Sequence, residues 1–158
     1  MGRLTITRAV TRIGRGNDAG QALIEFALLL PMLCFLLVGG VDLARVYAMQ
    51  LAVQNGARAG AESGAIGYNL TEAQIATHVK QEMGRTPGMD GYNTMNVPTS
   101  PCPTLAAGEN CIYVTRPVVS SVTYVSVQVR YVFKTIIAWP LIPNTATLDR
   151  TTMYRVFP

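Results

Sequence analysis

Charged side chains are scarce in this chain. They make up 14% of its 158 residues, against about 25% in a typical soluble domain. Hydrophobic residues reach 49%, so apolar side chains are not spread over an ordinary charged surface, and disorder is excluded as the main state. The length leaves room for one small domain and an anchor, and it excludes a large multidomain enzyme.

A basic surface is also lacking, although the formal net charge is +4. Residues 1–20 contain four arginines (Arg3, Arg8, Arg12 and Arg15) and one acid, so this stretch carries +3. The other 138 residues contain nine basic and eight acidic side chains and carry only +1. No basic face remains that could follow a phosphate backbone, and we therefore expect no nucleic-acid binding.

Groups suited to catalysis are few. The one histidine, His78, lies in a predicted helix, off its apolar stripe, and is interpreted as an ordinary exposed side chain. Glu72 and Glu82 flank it without a nucleophile at a recognised spacing. The sequence has no G-x-S-x-G motif, no glycine-rich phosphate loop and no H-E-x-x-H motif. We therefore expect a protein that is not an enzyme and that has no cofactor and no metal.

Cysteine is limited to three residues. Cys34 lies in an apolar segment and is interpreted as a small hydrophobic side chain. Cys102 and Cys111 flank a loop rich in Pro and Gly, with eight residues between them and no histidine near them in sequence. That spacing is poor for zinc, whereas an oxidising compartment favours a disulfide. Two free thiols and a metal site are the alternatives.

The most prominent feature present is an apolar run. Residues 26–41 form 16 consecutive positions without a charge. As a helix the run is about 24 Å long, slightly less than a hydrocarbon core of roughly 30 Å, whereas the segment 21–41 reaches about 31 Å and can span it. That longer segment includes Glu25. A carboxylate inside a membrane segment is costly, and such residues usually have a partner and a function.

The flanking charges predict an orientation for this segment. Four arginines precede it, and no Lys or Arg follows it until Arg45. The positive-inside rule therefore places the N-terminus in the cytoplasm and the remainder across the membrane. A secretory signal would need a small-residue cleavage site just past the apolar run. The nearest A-x-A stretches, 57–59 and 59–61, lie too far along the chain, so this alternative is disfavoured.

A different kind of leader matches residues 20–26, which read GQALIEF. This stretch resembles the prepilin peptidase site of type IV pilin-like proteins in its Flp/Tad form. In that family a short basic leader ends in Gly, the peptidase cuts after that Gly, a Glu stands fifth in the mature chain, and an aromatic residue follows. The resemblance implies cleavage between Gly20 and Gln21, and a role in assembly for Glu25 and Phe26.

Helical periodicity continues beyond the apolar run. Asp42 and Arg45 are spaced to pair just outside it, and we interpret them as solvated charges at the interface. Gly56, Gly60 and Gly64 form a ladder of small residues. One interpretation is helix packing, because glycines on one face let another helix approach closely. The other is that the helix frays there, because each glycine costs about 1 kcal/mol relative to alanine.

The remaining residues predict one more helix and a sheet. Thr71 and Gln74 fit a capping box at the start of a helix whose apolar stripe is Ile75, Val79 and Met83 and which Gly84 can end. Residues 87–110 are expected to be mostly loop. Strands are expected at 111–116, 122–133 and 145–157. Because no helix separates them, the sheet should be antiparallel, and the fold class should be α+β.

Together these features resemble the TadE-like family, the minor pilins or pseudopilins of the Tad (Flp) pilus. The stretch 53–61 (VQNGARAGA) is similar to the end of that family's N-terminal helix, and 148–157 is less specifically similar to its closing strand. The expected organisation has four parts. These are a basic prepilin leader at 1–20, a transmembrane helix at 21–41, a helical stem at 42–67 and a periplasmic α+β domain at 68–158.

The resemblance implies a minor pilin that takes part in the initiation or the tip of a pilus used for adhesion or secretion. The implied partners are a prepilin peptidase, other Tad pilins (the major Flp pilin and TadF-like minor pilins), an inner-membrane assembly platform and membrane lipid. The implied location is the bacterial inner membrane, and the pilus after assembly. The alternative is a single-span periplasmic binding or adhesion module that never enters a filament. The fate of the leader separates the two.

Overall fold

The computed structural model describes residues 18–67, 69–103, 110–138 and 143–157. Along the chain these residues form α1 (Asp18–Ile66), α2 (Glu72–Met83), β1 (Cys111–Thr115), β2 (Val118–Val119), β3 (Val122–Lys134) and β4 (Thr145–Arg155). The predicted α+β class and its order, with helices before the sheet, are confirmed. Positions 1–17 of the predicted leader and positions 104–109 of the predicted loop lie outside the described residues.

The chain divides into two compact units, Met1–Gly40 and Val41–Pro158. In the first unit the described part of α1 is apolar on all sides, and its large hydrophobic side chains are exposed. A helix that is apolar all round is typical of a membrane span. Pro31 lies inside α1, although proline removes one backbone hydrogen bond; membrane helices tolerate this when the freed carbonyl finds another donor.

In the second unit, α1 buries one face of mostly small side chains. The fully buried residues on this face are Met49, Ala52, Val53, Ala57, Ala61 and Ala65. All of these except Ala65 belong to a single core with α2 and the inner face of the sheet. The predicted stem is therefore part of the same compact unit as the sheet.

Helix α2 begins and ends close to where its sequence predicts. The Thr71 hydroxyl accepts a hydrogen bond from the Gln74 backbone N–H at 3.3 Å, and the Thr71 N–H donates to the Gln74 side chain at 2.8 Å. This reciprocal pair is the predicted capping box. Gly84 caps the C-terminus with φ −65°, an ordinary right-handed conformation. The stripe of Ile75, Val79 and Met83 is fully buried.

The sheet is antiparallel and is organised around β3. Strand β4 pairs with one edge of β3 along its length, while β1 and β2 pair with the other edge. Alternate residues of β3 face the core, as the sequence pattern predicts: Val125, Val127, Val129, Tyr131 and Phe133. The two-residue strand β2 is absent from the sequence-based expectation. It forms a hairpin with β3 through Ser120 and Ser121, whose φ angles are 50° and 64°.

Within the second unit, β3 lies alongside α1 and runs in the opposite direction. A Cβ added at Gly64 would be 2.9 Å from Val125, and one added at Gly60 would be 3.4 Å from Val127. Towards the other end of β3, the Arg45 guanidinium lies 5.3 Å from the centre of the Phe133 ring. The end of β3 at Lys134 therefore lies near the beginning of the α1 part of this unit.

Candidate functional site

The predicted cleavage and assembly residues lie on α1 in the first unit. Gly20, Gln21, Glu25 and Phe26 are all exposed. The Gln21 side-chain amide donates a hydrogen bond of 3.1 Å to Glu25 Oε1, one helical turn further on. A Cβ added at Gly20 would meet nothing within 4 Å. The carboxylate thus has a local polar partner on the same helix.

These residues lie at the start of a long apolar helix. The helix stretch Gly20–Ile66 contains a window with mean hydropathy of 2.4, none of which is buried. Its length and composition are sufficient to cross a membrane. Most of the exposed large apolar side chains of this helix lie between Leu23 and Leu43. The chain therefore has one N-terminal helix that could serve as a membrane anchor.

The glycine ladder lies where α1 meets α2. A Cβ added at Gly56 would be 2.7 Å from Met83 Cγ, and one added at Gly64 would be 2.8 Å from Ile75 Cδ1. One added at Gly60 would collide with Val79 Cγ2. The helix continues through all three positions to Ile66 rather than fraying. The small residues thus allow α2 to approach α1 closely within one chain.

The interpretation of Asp42 as a solvated charge is wrong. Asp42 is only 5% exposed, and its Oδ1 accepts a hydrogen bond of 3.1 Å from the Ile136 backbone N–H. Arg45 Nη1 lies 3.4 Å from the same oxygen. Burying a carboxylate is costly unless it is paired and hydrogen-bonded. This contact could not be inferred from the sequence, because Ile136 lies 94 positions away and donates through its backbone.

Cys102 and Cys111 form a disulfide, with their Cα atoms 5.9 Å apart. The Arg130 guanidinium donates to the Cys102 carbonyl at 2.9 Å and also forms an ion pair with Asp149 on β4. Gln128 donates to the same Asp149 carboxylate at 3.1 Å. The disulfide loop is therefore tied to β3 and, through Arg130, to β4. Sequence reasoning missed this cluster, because its partners come together only when the strands pair.

The pKa of Tyr131 is clearly perturbed by its surroundings. Burial raises its pKa above 10.0, and the nearby Asp90 carboxylate raises the pKa further. Arg45 and the hydrogen bond to the Asp90 backbone act in the opposite direction. That bond runs from the Tyr131 hydroxyl to the Asp90 carbonyl at 3.1 Å. At neutral pH Tyr131 is therefore a neutral hydrogen-bond donor that holds the loop after α2 against the sheet.

His78 and Cys34 lie apart from these contacts. His78 is exposed on α2, as the sequence indicates. Cys34 is a free and exposed thiol in the apolar run. Among the described residues, no group of three or more His, Cys, Asp and Glu side chains could hold a metal ion.

These features define an α+β protein with an N-terminal apolar helix that is long enough to anchor it in a membrane. Residues 20–62 match the family model described as TadE-like protein. The match begins at the glycine of the predicted cleavage site, includes the apolar run and ends within the buried part of α1. This part of the chain is therefore TadE-like, which confirms the resemblance and points to the Tad pilus system. No curated protein and no solved structure matches the chain.

Proposed function

We propose that the chain is a minor pilin or pseudopilin that takes part in the initiation or the tip of a Tad (Flp) pilus. The observation that carries this proposal is the extent of the TadE-like match, from Gly20 to Glu62. It joins in one segment the residues that a prepilin peptidase would cut, the apolar helix and the helical face that the folded domain buries.

In this proposal the four parts of the chain have separate roles. The basic leader at 1–20 stays in the cytoplasm, and removing it frees the helix to leave the bilayer. Residues 21–41 span the inner membrane, and the stem at 42–67 carries the domain at 68–158 in the periplasm. The partners are the prepilin peptidase, the other Tad pilins and the inner-membrane assembly platform, with membrane lipid around the span.

Glu25 supplies the driving force for assembly. After cleavage Gln21 would carry a free α-amine, one helical turn from the Glu25 carboxylate. Gln21 and Glu25 already contact each other through their side chains at 3.1 Å. In a filament Glu25 can instead pair with the amine of a neighbouring subunit, where low polarity strengthens the attraction. A partner lowers the cost of the carboxylate in the membrane, so assembly becomes favourable.

The first test is the mature N-terminus. Intact mass of the protein from membranes and from sheared filaments should correspond to a chain that begins at Gln21. Gly20→Leu should keep the leader, whereas Gly40→Leu, which changes a glycine outside the cut site, should still be processed. A leader that persists in cells with an active peptidase would favour the permanent anchor of a binding or adhesion module. A further loss of one ammonia would indicate that Gln21 has cyclised and lost its amine.

The second test is Glu25→Ala in a strain that lacks the native copy. The variant should still be inserted and cleaved, because the cut site is intact. It should not support pilus formation or co-purify with other pilins. Glu25→Asp should be partly defective, because its carboxylate is one methylene shorter. Glu62→Ala removes an exposed acid from the same helix and should leave piliation normal. Normal piliation by Glu25→Ala would show that Glu25 is only a tolerated charge.

A further inference from the structure

Two large apolar side chains are exposed directly after β3. Ile136 is 62% and Ile137 is 43% exposed, and neither belongs to the buried core of this unit. The Thr135 hydroxyl donates to the Ile137 carbonyl at 2.8 Å, and the Thr135 N–H donates to the Asn144 carbonyl at 3.0 Å. The two ends of the β3–β4 connector are therefore held together, and the side chains of Ile136 and Ile137 are exposed.

A hydrogen bond to Asp42 holds the isoleucines close to the end of the uncharged run on α1. It is the first charged residue after the uncharged run 26–41. Its Oδ1 accepts the Ile136 N–H at 3.1 Å. The Ile136 backbone is therefore hydrogen-bonded to the residue that directly follows the uncharged run of α1. This proximity follows from covalent continuity at Val41 and Asp42.

The opposite end of the sheet provides an internal comparison. Val119 lies in the hairpin at the start of β3 and is 52% exposed, similar to the isoleucines. Strand β3 has 13 residues and is therefore about 40 Å long. Because β3 runs antiparallel to the adjoining part of α1, Val119 lies far from Asp42. The two apolar patches are alike in chemistry, and only the one at Ile136 and Ile137 is close to the end of the membrane segment.

Polar and aromatic side chains close to Asp42 on α1, and Lys134 at the end of β3, fit a lipid headgroup layer. Lys134 is exposed at the end of β3, and Arg45 is half-buried beside Asp42. Tyr47 is exposed on α1, just over one helical turn beyond Asp42. Cationic and aromatic side chains of this kind are enriched at membrane interfaces, where their apolar parts contact acyl chains and their polar ends reach water or phosphate.

We propose that Ile136 and Ile137 insert into the interfacial layer of the membrane that α1 spans, and that Asp42 holds them there. The lipid surface is the occupant because the end of the span brings each copy of the chain to lipid at any protein concentration. The domain would then contact the bilayer at a second point besides α1, which restricts its tilt. The inference rests on the membrane-spanning part of the proposed function and not on cleavage or piliation.

Spin-label accessibility tests the proposal in the full chain reconstituted in phosphatidylethanolamine–phosphatidylglycerol nanodiscs, with one protein per disc. On a Cys34→Ser background, single labels are placed at Leu33→Cys, Ile137→Cys and Val119→Cys. Leu33 reports on the span itself. The measured quantity is the ratio of oxygen accessibility to accessibility for a water-soluble nickel reagent. This ratio should be severalfold higher for the label at 137 than for the label at 119. The depth of the label at 137 should lie between those at 33 and 119.

Two further variants test the role of Asp42. With the label at 137, Asp42→Ala should increase access of the nickel reagent, whereas Asp42→Asn, which keeps an acceptor oxygen for the Ile136 N–H, should change it less. A near-ultraviolet circular dichroism spectrum shared by both variants and the parent establishes that the domain is folded. Equal shifts in the two variants would overturn the positioning role of Asp42.

Three other results would overturn the insertion. One is a label at 137 that is as accessible to water as the label at 119, while the label at 33 remains buried. This result would leave the span, and with it the proposed function, intact. A second is protection of residue 137 only when several copies share a disc, which would indicate contact between copies. A third is a water-accessible label at 33, which would remove the span and the proposed function together.

Discussion

The two parts of α1 have the same secondary structure and opposite surroundings. From Gly20 to Gly40 no side chain of the helix is buried, whereas from Val41 to Ile66 one face is packed into the core. The first part is built of Leu, Phe, Met and Val. The second places Gly56, Gly60 and Gly64 four residues apart. Side-chain size on one face, more than helix propensity, therefore distinguishes the part that the core covers from the part whose apolar side chains are exposed.

The largest expected effect comes from adding the same side chain to the two parts of the helix. Gly60→Val should lower the free energy of unfolding by about 3 kcal/mol, because its Cβ collides with Val79, whose branched side chain adapts poorly. Gly40→Val should cause no such loss, because a Cβ at Gly40 meets nothing within 4 Å. Denaturant unfolding of the full chain in detergent, followed by near-ultraviolet circular dichroism, measures both. Equal losses would break the comparison.

A slightly smaller effect is expected from the cysteines. Replacing Cys102 and Cys111 by serine should lower the free energy of unfolding by about 2–3 kcal/mol, the loop-entropy contribution for a short loop. Cys34→Ser, in the exposed apolar run, should leave unfolding of the domain unchanged. Thiol labelling of the unreduced protein should modify Cys34 alone. Labelling at all three cysteines would contradict the disulfide.

Tyr131 offers a pH-dependent comparison with a smaller effect. Tyr131→Phe removes the hydrogen bond to Asp90 and should cost about 1 kcal/mol at neutral pH. Because the pKa of Tyr131 is raised above 10.0 in the folded protein, its stabilising contribution is complete below the unfolded pKa. It is lost as pH rises through the folded pKa. The phenylalanine variant should therefore lose less stability above about pH 10. Tyr47→Phe, which removes a hydroxyl at an exposed position, should cause no comparable loss at neutral pH.

The smallest effect should be a gain at the β2–β3 hairpin. Ser120 and Ser121 both have positive φ, a conformation that favours Asn and Gly in a two-residue hairpin. Replacing the pair by Asn-Gly should therefore raise the free energy of unfolding by about 0.5 kcal/mol. The same unfolding assay measures it, with Ser63→Gly in α1 as a control that should destabilise. A loss of stability in the hairpin variant would show that the serine hydroxyls contribute more than the backbone geometry costs.

Features that depend on neighbouring residues could be predicted well. The capping box of Thr71 and Gln74 lies within four residues, and the alternation from Val125 to Phe133 has the period of a strand. Strand β2 could not be predicted in this way, because it has only two residues and its turn lacks the usual Asn or Gly. The same limit applies to Arg130, which needs both β4 and the disulfide loop to find its partners.

The sequence by itself determined the apolar helix, the α+β class and the TadE-like character of residues 20–62, because each depends on composition or on short-range spacing. Only the tertiary structure decided the environment of Asp42. A charged residue after an apolar run is usually expected to be exposed to solvent. In the folded chain, β3 runs back beside α1, so that Asp42 is buried and accepts a hydrogen bond from the Ile136 N–H. The tertiary structure also decided that α2 and the sheet of the same chain cover the glycine ladder. Small residues permit close packing, but the partner that fills the space depends on how the whole chain folds.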